Sequence, residues 1–257
     1  MQYRYINTER DNSVTIISIN RPERMNALNA ETRSELINAI DCADQDESVR
    51  VVIITGSGNS FSAGADLNDA PDEITQKILR SDLKDSFHII ARKIRNSRKI
   101  FISAIDGITA GAGISLAFIC DLVYASPRSR FILAFQGIGL APDTGLSYII
   151  TRRSGGRFSR HLLLGGEFSA ECAEKAGLLE LAEDPLSEAR NTANIISHGP
   201  FAAYSTGKIL INRSLYFDFE EFLELEAEEQ SKLASTHDFV EGVAAFRDKR
   251  RPVFMGK

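Results

Sequence analysis

Ser62-Ala63-Gly64-Ala65-Asp66-Leu67 lies just beyond the apolar run Val51-Val52-Ile53-Ile54. Its counterpart, Gly111-Ala112-Gly113-Ile114-Ser115-Leu116-Ala117, lies just beyond Ile100-Phe101-Ile102-Ser103-Ala104. Short continuous apolar runs read as parallel strands covered on both faces. Each run therefore hands the chain to small residues where a helix is expected to begin. At such a junction backbone N–H groups lack intrahelical partners and point outward at the positive end of a helix dipole. Two of them converging on one carbonyl oxygen make an oxyanion hole that needs only small side chains. Gly64 allows a backbone geometry closed to other residues. Asp66 is placed to cap the N–H groups of a following helix. Each stretch also has a plainer reading. Asp66 can be a capping residue in an ordinary strand–turn–helix connection, and the small residues at 111–113 can serve close helix–strand packing alone. In the functional reading Ser115, three residues after Ala112, shares its helix face and flanks whatever the N–H binds.

Working outward, residues 3–8 and 13–20 read as an antiparallel pair joined by the turn-prone Arg10-Asp11-Asn12. A helix is expected from Asn29 or Glu31 to about Asp46, with Leu36, Ile37, Ile40 and Ala43 on its inner face. The polar stretch from Asp69 to Asp85 has no clean pattern and reads as a mobile loop leading into a helix over about 76–97. Leu122–Ala125 and Phe131–Ala134 read as further strands. After Gly145 the pattern turns helical, near 145–153, 157–164, 169–176, 186–198, 201–213, 218–235 and 238–249. A break in core pattern at Gly199-Pro200 marks a helical subregion within the same folding unit.

At 257 residues, 43% apolar, 25% charged and a net charge of −5, the chain has an ordinary globular composition. The negative balance argues against nucleic acid as the main partner. No run is long and apolar enough for a membrane span, and the charged N-terminus does not read as a secretory signal. Cys42, Cys120 and Cys172 have no metal-like spacing and fit a reducing, cytoplasmic setting.

Two more stretches carry chemistry. Gly139-Leu140-Ala141-Pro142-Asp143-Thr144-Gly145 contains a type I turn signal, in which Asp143 is either a turn residue or a carboxylate held above a sheet. Phe246-Arg247-Asp248-Lys249-Arg250-Arg251 is either a solvated helix end or a phosphate holder.

Together these stretches resemble the crotonase, or enoyl-CoA hydratase/isomerase, superfamily. The resemblance runs through Asn20–Leu28, Phe61–Leu67, Asp106-Gly107 to Cys120-Asp121, Gly139–Gly145, and Glu241-Gly242 followed by Phe246 and Lys249. It implies an α/β fold, a spiral of ββα turns over residues 1–199 with the acyl-CoA site. It also implies a helical trimerisation region over 200–257 and assembly as a trimer or dimer of trimers. The oxyanion hole falls on the N–H groups of Ala65 and Ala112. The nucleotide end of the thioester is expected against Arg24, Met25 and Ala27, and against Ala63, Gly64, Asp66 and Leu67, with Gly111 opening the second stretch. Phe246 and Lys249 match positions that cover the nucleotide, sometimes from a neighbouring subunit.

One departure decides the expected chemistry. The two glutamates with which hydratases of this superfamily handle water correspond to Ser115 and Phe135. Adding water needs one group to deprotonate it and another to protonate carbon. What remains is Asp143, in a context that resembles the ring-epoxyphenylacetyl-CoA isomerase branch, with Leu146 as a departure from that branch. The expectation is therefore an acyl-CoA isomerase with Asp143 as sole acid/base and Phe135 excluding water. It uses no metal or redox cofactor, since coenzyme A belongs to the substrate. The alternatives are an enoyl-CoA hydratase and, less favoured by charge, an RNA-binding protein of the same fold.

Overall fold

A computed structural model describes residues 3–69, 71 and 73–257. In chain order its elements are β1 (Ile6–Asp11), β2 (Val14–Ile19), α1 (Ala30–Gln45), β3 (Val51–Gly56), β4 (Ser60–Ser62), α2 (Gln76–Asp82), α3 (His88–Asn96), β5 (Ile100–Ile105), β6 (Ile108–Ala110) and α4 (Ala112–Phe118). Then come β7 (Leu122–Ala125), β8 (Arg130–Leu133), α5 (Leu146–Ser154), α6 (Ser159–Leu164), β9 (Gly166–Ser169), α7 (Ala170–Lys175) and β10 (Glu180–Leu181). Four helices finish the chain: α8 (Pro185–His198), α9 (Phe201–Leu215), α10 (Phe219–Leu233) and α11 (His237–Arg247).

The apolar runs do form the centre of a sheet, in the order β1-β2-β3-β5-β7-β10. β3 lies parallel to both β2 and β5, with Ile53 facing Ile16 on one side and Ile102 on the other. Every residue from Val51 to Ile54 and from Ile100 to Ile105 is buried. A second sheet, β4-β6-β8-β9, takes one short strand after each of β3, β5 and β7. Each turn of the chain thus lays one strand in each sheet before a helix returns it, which is a spiral of ββα units. The strands of the second sheet have only three or four residues, too short for any pattern of alternation, and β4, β6, β9 and β10 escape the sequence reading.

Local chemistry fixes the boundaries. The first hairpin turns at Asn12-Ser13, one step later than expected, with Asp11 opposite Val14. Asn12 takes φ 50°, a conformation that asparagine tolerates better than most residues. The side chain of Asn29 accepts the Thr32 N–H and starts α1, whose Leu36, Ile40 and Ala43 enter the core. The helix expected over 76–97 is interrupted by a π-helical turn at Leu83–Phe87, which carries Leu83 and Phe87 into the core. Of the stretch read as a loop, Ala70 and Asp72 lie outside the described residues.

The apolar side chains of the late helices are used partly within the chain. Phe219 and Leu223 of α10 are buried in the main core, and Phe222 packs against it. Phe217 and Leu225, in the same stretch, stay largely exposed.

Asp121 ties α9 to the sheet. It accepts from Arg95 at 2.9 Å, from Lys208 of α9 at 2.8 Å and from the Phe101 N–H at 2.8 Å. Lys208 also donates to the carbonyls of Ile94 and Lys99. Burial pulls the Lys208 ammonium below its ordinary range, and Asp121 opposes that pull. Replacing Asp121 by Ala strands two buried cations, a change that costs about 3–5 kcal/mol. A clear drop in the urea midpoint of Asp121→Ala at pH 7 checks this; an unchanged midpoint refutes it.

Candidate active site

The two small-residue stretches meet. Gly64 has φ 86°, and a Cβ there would sit 2.6 Å from the Ala110 carbonyl oxygen and 3.0 Å from the Ala112 nitrogen. Glycine is thus required twice over, for backbone conformation and for space. Gly111 turns the chain into α4 with φ 49° and ψ −128°, again outside the range of other residues. On its other side the 62–66 segment is held by Leu28. The Leu28 N–H donates to Gly64 O at 2.7 Å, and the Asp66 N–H donates to Leu28 O at 3.3 Å. Neighbouring N–H groups along an extended segment point opposite ways, so the Ala65 N–H faces away from Leu28. Among the described residues neither the Ala65 nor the Ala112 N–H has a hydrogen-bond partner. Both N–H groups expected of an oxyanion hole are thus unpaired, on two segments that touch at Gly64.

Asp66 does not cap a helix. The residues after it form a turn, and its carboxylate lies 2.9 Å from Arg21 in a buried ion pair. Arg21 also donates to Ala27 O at 2.7 Å. Asn26, wholly buried, accepts the Arg21 N–H and donates to the carbonyls of Ser57 and Ser60. The Ala63 N–H donates to Met25 O at 2.8 Å. Arg24, Met25 and Ala27 are thereby laced alongside Ala63–Leu67, with Arg24 and Met25 exposed.

The Asp143 turn is of mirror-image type I′, not type I. Thr144 and Gly145 have φ 59° and 76°, and the Leu146 N–H closes the turn on Asp143 O at 3.1 Å. A β-branched residue at positive φ is strained, at about 1–3 kcal/mol. Such strain persists only where surroundings impose it. Ser115 is one constraint: its hydroxyl donates to Asp143 O at 2.9 Å. Ser115 therefore fixes the turn to α4 and spends its hydroxyl there, so it does not offer that donor to a ligand. Phe135 is buried in the main core, and its carbonyl accepts the Leu140 N–H.

Three residues invisible to the sequence reading complete the site. Glu226 and Gln230 lie one turn apart on α10 and so share a face. Gln230 donates to Asp143 Oδ2 at 3.1 Å and to Ala141 O at 2.7 Å, and accepts the Ala141 N–H. Both Glu226 oxygens accept the Gly145 N–H, and Oε1 lies 2.9 Å from His88 Nε2. Asp143 is thus accompanied by a second buried carboxyl, supplied by the late helices. Burial and the nearby Glu226 carboxylate push Asp143 up to about 7, against the hydrogen bonds from Thr144 and Gln230. Burial raises Glu226 to about 8, against backbone donors at Gly145 and Thr144. Burial lowers His88 to about 4, so it is neutral near pH 7.

Phe246 and Lys249 stand at the end of α11. Arg247, between them, donates to Pro71 O at 3.0 Å and brings that end beside the segment following Leu67. Phe246 is half exposed, available to cover a ligand lying along that segment.

A methyl group at Gly64 must displace the Ala110–Ala112 backbone. Loss of one well-placed oxyanion donor costs about 10²–10³ in turnover. Gly64→Ala should therefore lose about that much in kcat while keeping wild-type far-UV circular dichroism; turnover within a few fold of wild type overturns the assignment.

The chain matches the Enoyl-CoA hydratase/isomerase family model over residues 9–257. It is 33% identical, over 100% of both chains, to the trans-2-decenoyl-[acyl-carrier-protein] isomerase of Streptococcus mutans. It is 31% identical to the 1,2-epoxyphenylacetyl-CoA isomerase of Escherichia coli K12, covering 98% of this chain and 99% of that one. A probable enoyl-CoA hydratase of Mycobacterium bovis is 34% identical over 99% of each chain. The solved structure of an enoyl-CoA hydratase from Mycobacterium avium subsp. paratuberculosis K-10 superposes with a TM-score of 0.87 at 29% identity, covering 99% of this chain and 100% of that one. With this spiral, this site and these relatives, the chain belongs to the enoyl-CoA hydratase/isomerase family and is an enzyme of that type.

Proposed function

We propose that this enzyme is an acyl-thioester isomerase that moves a double bond through a thioester enolate. The observation that carries the reading is a buried carboxyl, Asp143, raised to about 7, on a turn bonded through Ser115 to the helix that presents the Ala112 N–H. The thioester oxygen binds the Ala65 and Ala112 N–H groups. Asp143 takes a proton from the carbon next to the carbonyl of a 3-enoyl thioester, and the electrons pass to the oxygen. The enolate charge is held by the two N–H groups, each worth roughly 3 kcal/mol in the transition state. Asp143 then returns the proton two carbons further along the chain, leaving a 2-enoyl thioester with atoms and charge balanced. The acyl carrier is coenzyme A, laid along Arg24–Ala27 and Ala63–Leu67 and covered by Phe246 and Lys249. Two named isomerases among the relatives support this reading.

Hydratases are also among the relatives, and Glu226 supplies a second carboxyl. Hydration would need that carboxyl to handle water. Its oxygens are instead engaged by Gly145 and His88, so isomerisation is the better reading. No cofactor is invoked for this chemistry.

We propose further that the enzyme works as a trimer or dimer of trimers. α9 presents Leu210 and Ile211, 64% and 54% exposed, and α6 presents Leu163 and Leu164, 75% and 66% exposed. Exposed large apolar side chains on two helices mark surfaces suited to contact between copies of the chain.

Three measurements follow. Asp143→Asn should bind acyl-CoA within a few fold of wild type yet lose about two to four decades of turnover on 3-enoyl-CoA, as expected for loss of the only base; near-normal turnover sinks the mechanism. The base must be ionised to act, so kcat/KM should rise with pH through a midpoint near the raised value of about 7 and not near the ordinary carboxylate range. Light scattering should give three or six chains at micromolar concentration, and a monomer would refute the assembly.

A further inference from the structure

We propose that Glu226 of α10 is a positioning residue for the reaction, holding the Asp143 turn in place and setting the pH at which Asp143 becomes a base. The inference rests on the reading of Asp143 as the acid/base group and extends it to a residue on a different element.

The geometry has two parts. The first is mechanical. Glu226 accepts the Gly145 N–H with both oxygens, at 3.1 and 3.0 Å, while Gln230, one helical turn on, holds Ala141 and the Asp143 carboxylate. The strained Thr144, at φ 59°, sits between these two grips. The second is electrostatic. Glu226 and Asp143 are buried together, so ionising either raises the cost of ionising the other. The other groups facing the pair are few. Thr144 donates to Asp143 Oδ1 at 3.0 Å. His88, from the start of α3, faces Glu226, and beyond it Lys84 and Arg92 are paired with Glu224 at the exposed rim. Hence no buried lysine or arginine contacts either carboxylate among the described residues.

His88 reports on this pair. When Glu226 is ionised, the contact with His88 Nε2 requires a hydrogen on that nitrogen and leaves Nδ1 bare. When Glu226 is protonated, its hydroxyl donates to Nε2 and the ring hydrogen moves to Nδ1. Nδ1 has no hydrogen-bond partner among the described residues, so no other contact dictates the tautomer. The His88 ring therefore follows the protonation of Glu226, which is distinct from simple support of the fold.

The test compares wild type, Glu226→Gln and Asp143→Asn. Glu226→Gln keeps an oxygen for the Gly145 N–H but removes the charge. The two carboxyls titrate as a coupled pair, so the acid limb of its kcat/KM profile on 3-enoyl-CoA should move to lower pH, by up to about one unit, with KM within a few fold. Coupling between two sites is reciprocal. In Asp143→Asn, the pH at which the ¹⁵N shifts of the His88 ring change should therefore move down by a similar amount relative to wild type. This second readout decides the matter if Glu226→Gln does not fold. An unmoved acid limb in folded Glu226→Gln, or an unmoved His88 transition in Asp143→Asn, overturns the inference. If Asp143→Asn is inactive while either of these stays unmoved, the inference fails and the Asp143 mechanism stands. If Asp143→Asn keeps normal turnover, the mechanism fails and the inference with it.

Discussion

The site depends on one close approach of backbone to backbone. Gly64 meets the Ala110–Ala112 segment at distances that leave no room for a methyl group, and Gly113 is pressed in the same way against Ser62 O. That contact joins the ends of β4 and β6, neighbours in the second sheet. It packs together two segments that each carry an N–H group with no partner among the described residues, those of Ala65 and Ala112. Ser115 then carries the geometry along α4 to Asp143. The large parallel sheet, with its wholly buried central strands, is the rigid base that makes so tight a contact reproducible; an interior packed to the density of a crystal does not give way by a fraction of an ångström.

On that base sits a turn with the wrong intrinsic preference. Thr144 is held at positive φ, and the groups that hold it come from both sides. Ser115 reaches from α4 below, and Glu226 and Gln230 reach from α10 above. The same clamp that imposes the conformation also buries Asp143 beside a second carboxyl and two neutral donors, Thr144 and Gln230. Structural constraint and chemical tuning are thus one arrangement of residues. Ser115 is an instance: read from sequence as a group flanking the ligand, it fastens the turn through its hydroxyl.

What the sequence made legible was whatever follows local rules. The apolar runs at 51–54 and 100–104 declared parallel strands, and Asn29 declared a helix start. The glycines at 64 and 111 marked the place where two backbone segments approach too closely for any side chain. Asp66 was misplaced because a carboxylate after a glycine turn looks the same whether it caps a helix or meets an arginine 45 positions away in sequence. Four strands went unseen because two to four residues carry no periodicity. Glu226, Gln230 and His88 went unseen for a deeper reason. On an acidic helix, Glu-Leu-Glu-Ala-Glu-Glu-Gln reads as solvated surface. Only the packing of α10 across the Asp143 turn singles out one glutamate and one glutamine as buried. The spacing of four residues between them was the one available signal, and many surface pairs share it.

The clamp on Asp143 also bears on how the enzyme comes into being. Its two halves are separated by 87 positions between Asp143 and Gln230, and the later half belongs to a helix synthesised near the end of the chain. Domains fold broadly from the N-terminal side as they emerge, and contacts of such long range form late. The sheets and the oxyanion backbone can be assembled while the Asp143 turn is still open to water, where its carboxyl behaves as an ordinary one. On the proposed mechanism, a chain without a docked α10 would hold the backbone part of the site with no effective base. On that mechanism, the first turnover then waits on the docking of α10 over the Asp143 turn.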